Sequence, residues 1–328
     1  MPRFRFHHLV VEARSTLPAD PVALLLAPLP QAPMETPADL LLETRAGAGP
    51  ADLAPRLGGP PAFTLDDVKV RVAAGLVEIT WPVARFTVDA GPLPHAVGVL
   101  DATALADPTT LHLAAQRPAL LAFAAAARTR GVFHLQAACL VLAGDRTVLV
   151  PGLVGAGKSS LAAALIAAGA GYLGDDTVWL ARRPEGIRLL ALPRPFHLTE
   201  PSAAAVGLAA RLEPGDRTRS GRRRLDPAAA FPGAFHWEAA APSAILLPSL
   251  TGETVTRLEP AEPADAMGAL LEGSALAASR GLPGGATHLP LLGELCDGAA
   301  VYRAELGLDL LADGAAVARQ LVQRLADA

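Results

Sequence analysis

Residues 147–176 read TVLVPGLVGAGKSSLAAALIAAGAGYLGDD. The opening Thr-Val-Leu-Val is apolar and largely β-branched, as a short buried strand should be, and Pro151 closes it. Gly152-Leu153-Val154-Gly155-Ala156-Gly157-Lys158-Ser159 then matches G-x-x-x-x-G-K-[ST] at every specified position. From Ser159 to Ala168 the chain is dominated by Ala and Leu, a helical run that Gly169 ends. Strand, glycine loop and helix therefore come in the order that a phosphate-binding loop requires. Glycines let the backbone wrap so that successive N–H groups face phosphate oxygens, and the helix adds its positive N-terminal end. On this reading Gly152, Val154, Gly155, Ala156, Gly157, Lys158, Ser159 and Ser160 hold nucleotide phosphates. Lys158 supplies a charge to the β- and γ-phosphates, and the Ser159 hydroxyl is a Mg²⁺ ligand.

Chance is a poor source for the match. With 30 Gly and two Lys among 328 residues, an accidental one is expected on the order of once per thousand such chains. The lysine count adds a physical point. Lys69 and Lys158 stand against 26 arginines, so the chain keeps a compact, flexible ammonium where a phosphate needs one.

Gly174-Asp175-Asp176 follows after a helix and a Gly-Ala-Gly turn, long enough together to cross over and bring the chain back parallel to the strand before the loop. Both carboxylates then emerge at the edge where ligands of open α/β sheets bind. Two tasks there need a carboxylate: holding the metal and accepting a hydroxyl proton. A solvated turn is the alternative for an isolated Asp-Asp pair.

Upstream, FHLQAACLVL (133–142), a turn at 143–146 and TVLVPG form a hairpin that feeds the glycine loop. Gln116 to Arg130 reads as an Ala-rich helix entered at Pro118. VKVRVAAGLVEITW (68–81) alternates and turns at Ala74-Gly75, which predicts a small antiparallel sheet; residues 1–60 carry little clean periodicity. The organisation expected is an accessory domain to about residue 115 and a catalytic domain over 116–328. Downstream, Thr199-Glu200-Pro201 opens a helix, Ala244–Leu247 is a strand, and helices cover Pro263–Leu271 and Asp313–Leu325.

His134 to Ala138, the hairpin, the glycine loop and the acidic pair together resemble the catalytic core of HPr kinase/phosphorylase and its serine-kinase relatives, specifically over residues 131 to about 180. The resemblance implies an α/β fold, a phosphoenolpyruvate carboxykinase-like mixed sheet flanked by helices, with a smaller β-containing N-terminal domain. It further implies an ATP-dependent kinase acting on a hydroxyl, a Ser of a small protein or peptide. Carried over, Asp175 is the catalytic base, Asp176 and Ser159 are Mg²⁺ ligands, and His134 lies near the phosphates; read alone, His134 in an apolar strand is as well explained as a core residue. Where the dual-action enzymes carry a Leu-Glu-x-Arg-Gly-x-Gly signature, this chain has LLALPRPFHL (189–198). Arg194 either replaces part of that apparatus or braces a loop. Arg217, Arg219, Arg222, Arg223 and Arg224 form either a solvated loop or a source of charge for the transferred phosphoryl group. Histidines 7, 8, 197, 236 and 288 lack metal-ligand spacing and read as structural.

Composition narrows the function further. A net charge of -4 and few aromatics argue against nucleic acid as a partner. No apolar run approaches the roughly 20 residues of a membrane-spanning helix, and the first twenty residues carry charges where a secretory leader would be apolar. Two cysteines, Cys139 and Cys296, fit a reducing, cytoplasmic setting. A homo-oligomer is compatible with all of this. A small-molecule phosphotransferase and a catalytically silent nucleotide-binding scaffold are the rival readings.

Overall fold

The computed structural model describes residues 1–65, 67–213, 221–274, 282 and 284–327. The chain forms two compact units, Met1–Phe133 with the late segment ending at His288, and His134–Ser274 with Leu289–Ala328.

The first unit is built on an eight-stranded mixed sheet in the order β1-β2-β3-β8-β7-β6-β5-β4. Its strands are β1 (Arg3–Phe6), β2 (Leu9–Ser15), β3 (Leu40–Ala46), β4 (Phe63–Leu65), β5 (Val68–Ala73), β6 (Leu76–Trp81), β7 (Ala84–Asp89) and β8 (His95–Leu100). β5 and β6 form the antiparallel pair expected over 68–81, turning at Ala74 and Gly75 with φ of 49° and 80°, and β4, β7 and β8 extend it into a meander. The sheet is larger than expected because β3 pairs in parallel with both β2 and β8. A strand in the middle of parallel pairing is covered on both faces and shows no alternation, which is why Leu40-Leu41-Leu42 carries no period-two signal. Glu12, buried on β2, is held by Arg3 and Arg14, and these guanidiniums keep its carboxyl below the usual range.

Short helices α1 (Pro21–Leu26) and α2 (Pro50–Leu53) precede α3 (Pro108–Ala114) and α4 (Leu120–Arg128). The helix expected to begin near Pro118 begins ten residues earlier. Asp107 caps it, accepting from the Thr110 N–H at 2.8 Å, with Pro108 in the first turn. Pro118 instead lies within a π-helical turn, Ala115–Ala119, that joins α3 to α4 and absorbs the missing N–H.

In the second unit a six-stranded sheet runs in the order β12-β10-β11-β18-β20-β19, and a four-stranded sheet in the order β17-β14-β13-β9. The strands are β9 (Val132–Leu135), β10 (Ala137–Leu142), β11 (Arg146–Pro151), β12 (Gly171–Gly174), β13 (Val178–Arg183), β14 (Gly186–Ala191), β15 (Phe196–Leu198), β16 (Arg223–Leu225), β17 (Glu238–Ala240), β18 (Ala244–Leu250), β19 (Arg257–Pro260) and β20 (Ala300–Leu306). The helices are α5 (Lys158–Ala167), α6 (Glu200–Ala204), α7 (Pro227–Ala230), α8 (Pro263–Gly273), α9 (Gly285–Gly298), α10 (Asp309–Ala312) and α11 (Gly314–Asp327). β10 and β11 form the expected hairpin, Ala137 facing Pro151 and Leu142 facing Arg146. β12 runs in the same direction as β11 but beyond β10, because both are antiparallel to that strand. On the other side of β11, β18 and β20 continue in parallel.

α5 is apolar all round and accordingly buried, Leu161 to Leu165 having no exposure, between the sheet and α11. The basic stretch expected as one loop from Arg217 to Arg224 is not one. Arg217 and Arg219 lie outside the described residues, while Arg223 and Arg224 belong to β16, paired with β15 and anchored by buried Leu225. Arg223 donates to the carbonyls of Leu212 and Glu213. Among the described residues no helix is long and apolar enough to cross a membrane.

Gly98 on β8 lies under the Phe86 ring: a Cβ there would come within 2.5 Å of Phe86 Cε1, and that ring is buried. Gly98→Ala therefore forces a packed aromatic to move, and a loss of about 1–3 kcal/mol is expected. Urea unfolding of the variant followed by circular dichroism checks this; an unchanged midpoint would mean that the ring shifts freely.

Candidate phosphate-binding site

The site begins where β11 ends. Gly152, Gly155 and Gly157 have φ of 141°, 96° and 97°, a left-handed backbone that other residues adopt only under strain. Gly157 is constrained twice, since a Cβ there would also lie 2.5 Å from Leu306 Cδ1. It precedes α5 without any side-chain cap, so the first N–H groups of that helix are directed to the loop's mouth.

Lys158 is only 6% exposed. Its ammonium donates to Gly152 O at 2.6 Å and Leu153 O at 2.8 Å, closing the loop on itself. Burial lowers its pKa, and the charges of Asp176 and Asp175 oppose that shift. The motif specifies a cation near phosphates but says nothing of solvent; the apolar α5 draws the root of the side chain inward.

Asp175 is 3% exposed, and the Ser159 hydroxyl acts on its carboxyl from the first turn of α5. Burial, with Asp176 alongside, pushes its carboxyl up to about 8, against the pull of Ser159, Arg194 and Lys158. The turn that carries it is tight: a Cβ on Gly174 would meet Thr177 O at 2.7 Å, so the residue before the pair has no room for a side chain. Asp176 is half-buried and close enough to Lys158 and His134 to act on both electrostatically. His134 meets Trp179 edge-on at 5.2 Å, and its Nε2 has no hydrogen-bond partner among the described residues. Burial and then Arg194 lower its pKa to about 4, so the ring is neutral near pH 7. Arg194 donates to Thr177 Oγ1 at 3.5 Å, just behind the acidic pair.

A cleft opens over Gly155, Gly157, Lys158, Ser159 and Ser160, and its far wall is His197, Leu198, Thr199 and Arg222. Gly152, Val154 and Ala156 belong to the loop but do not line this cleft. His197 had read as structural and Thr199 as a helix start. Their place depends on β15, whose Phe196 and Leu198 point into the core and leave the residues between and after them toward the loop. That alternation over PFHLT is the one local signal that pointed to them. The wall is tied to the loop by hydroxyls: Ser160 Oγ and Thr199 Oγ1 each lie 2.8 Å from Ser202 Oγ.

No group of three or more His, Cys, Asp or Glu able to hold a metal occurs among the described residues. The donors at the loop, the Ser159 hydroxyl and the two carboxylates, are hard oxygens. They suit Mg²⁺, which takes one or two carboxylates and completes its shell with phosphate and water.

By sequence the chain matches no protein-family model and no curated protein. Among solved structures, the Hpr(Ser) kinase/phosphatase from Coxiella burnetii is similar over 58% of this chain and 98% of its own, at 15% identity and a TM-score of 0.28. A superposition that loose bears neither on fold nor on activity here.

The Asp175 shift has a consequence for stability. Its folded pKa of about 8 lies above the ordinary carboxyl value of 3.8, so between those pH values the folded protein holds a proton that the unfolded chain has released. Stability from this group is therefore lost as pH rises from about 4 to 8. In nucleotide-free thermal melts Asp175→Asn should be more stable than wild type, by a margin that grows across that range. A margin independent of pH would show that Asp175 is not held protonated.

Proposed function

We propose that this chain is an ATP-dependent phosphotransferase that moves the γ-phosphate onto a hydroxyl, a Ser of a small protein or peptide, with Mg²⁺ as the companion ion. The observation that carries the reading is the glycine loop at the start of α5 with buried Lys158 and buried Asp175 at its mouth, where Asp176 acts on both. A phosphate-holding backbone, a mobile cation and a carboxylate with a raised pKa are the parts that in-line transfer to a hydroxyl needs.

The N–H groups from Gly155 to Ser159 hold the phosphate chain. Lys158 exchanges its two loop carbonyls for phosphate oxygens. Asp175, once deprotonated, accepts the proton of the acceptor hydroxyl as its oxygen bonds to phosphorus and the bond to the β-phosphate oxygen breaks, leaving ADP. A carboxyl with a pKa near neutrality is suited to this, since Brønsted behaviour favours a base matched to the working pH. Ser159 and Asp176 would hold Mg²⁺, which supplies charge neutralisation on the phosphates when bound. His134, being neutral, orients rather than charges the site. Arg222, on the cleft wall, supplies positive charge on the side facing the loop. The two free cysteines, both buried, accord with a cytoplasmic setting.

Lys158→Ala should weaken Mg-ATP binding by about 10- to 100-fold, the worth of a charge-assisted hydrogen bond. Calorimetric titration measures it, and an unchanged affinity would remove the loop from nucleotide binding. The aspartates separate in a magnesium titration. Asp175→Asn should lower transfer by roughly 10²- to 10⁴-fold at any Mg²⁺ level with ATP affinity little changed. Asp176→Asn should raise the Mg²⁺ concentration required, and excess metal should restore part of the rate. The reverse pattern would exchange the two roles; full activity in both would exclude the pair.

A further inference from the structure

The second unit has a second feature at the glycine loop, on the flank away from the acids. Of the eight strongly exposed large apolar side chains described in this unit, five lie on three segments that meet there: Leu153 and Val154 at the loop tip, Leu250 at the end of β18 with Val255 beyond it, and Leu308 after β20. Their exposure runs from 53% to 72%. They form one surface because their backbones are joined. Thr251 N donates to Leu306 O at 3.2 Å, Leu308 N to Glu253 O at 2.7 Å, and Asp309 N to Thr254 O at 3.1 Å. Asp309 further clamps Thr256 through both its N–H and its hydroxyl. The shelf touches the loop directly, since a Cβ on Gly157 would lie 3.2 Å from Leu250 Cδ2.

Five exposed apolar side chains grouped on a braced surface are unusual unless something covers them. The strand order tells what. Asp175 and Asp176 follow β12, on one side of β11, whereas the shelf follows β18 and β20, on the other. For a nucleotide whose γ-phosphate meets the acids and whose β-phosphate sits over Lys158, the flank of β18 and β20 lies across β11 from the acids and offers the sugar and base an apolar surface. We infer that the Leu250–Val255–Leu308 shelf, with Leu153 and Val154, is the nucleobase platform. It rests on the phosphate site proposed above and adds that the ligand is a nucleoside triphosphate gripped at both ends, with the base held by apolar contact.

Binding of ATP and of inorganic tripolyphosphate, both with Mg²⁺, is measured by calorimetry for the wild type and for two variants, Leu250→Ser and the pair Val255→Ser with Leu308→Ser. All replaced side chains are exposed, and thermal melts establish that each variant is folded. Wild type should bind ATP about tenfold or more tighter than tripolyphosphate, as burial of one face of a base allows. Both variants should lose most of that difference while tripolyphosphate affinity stays within about twofold. Tripolyphosphate bound as tightly as ATP by wild type, or ATP affinity unaltered in both variants, overturns the platform and leaves the phosphate site standing. An unaltered ATP affinity would also direct the shelf to a protein partner. Absence of binding by either ligand fails the phosphate site itself.

Discussion

One ammonium and one carboxyl, each less than a tenth exposed, share the end of a sheet with a second carboxylate, and the rest of the second unit is organised around keeping that group in balance. Burial and the neighbouring Asp176 outweigh the pull of Lys158 and Arg194, and the proton stays on Asp175. The Gly152 and Leu153 carbonyls satisfy Lys158, and Arg194 stands behind the acidic pair through Thr177. Such an arrangement stores a readiness for ligand. Polyphosphate with its metal brings charges of both signs to a place already holding both, and the proton on Asp175 is the one free to leave.

The framework that achieves this is stiff where the chemistry needs it. α5 buries its whole circumference, so its N-terminus cannot drift from the sheet, and Gly157 has Leu306 and Leu250 directly above it. The cleft wall is held by short-range polar contacts, Ser160 to Ser202 to Thr199, between two helix beginnings. A change at Ser202, which touches no phosphate, would thus be felt at Ser160, the last residue of the loop's binding set.

What could be read from the sequence was what is locally determined. The glycine loop and the helix after it carry their own signals, in glycines and in alanines, and the structure has them within a residue or two of where they are expected; the first hairpin strand begins only at Ala137, because Val132–Leu135 joins the four-stranded sheet instead. The β5–β6 pair is legible for the same reason, in its alternation and its Ala-Gly turn. β2 and β3 were not, because strands paired in parallel and buried on both faces show no alternation. Pro118 misplaced the start of a helix, since a π-turn accommodates a proline that a propensity argument puts at the first turn. His197 was set aside because its position depends on β15 pairing with β16, a partner about thirty residues on. Lys158 was assigned a charge and a position correctly placed on the loop, but its burial follows from α5 and the strands beneath, which no motif encodes.

His134, Lys158, Ser159, Asp175 and Asp176 all come from forty-three consecutive residues, 134–176. The pairings that bring the last four together, β10 with β11 and β10 with β12, close only short loops, while His134 sits on the adjoining β9. Such a site can assemble early and largely by itself, whatever the flanking strands do. It is also a heritable unit: the rest of a chain can change its strands, loops and surface over long divergence while these few dozen residues keep their geometry.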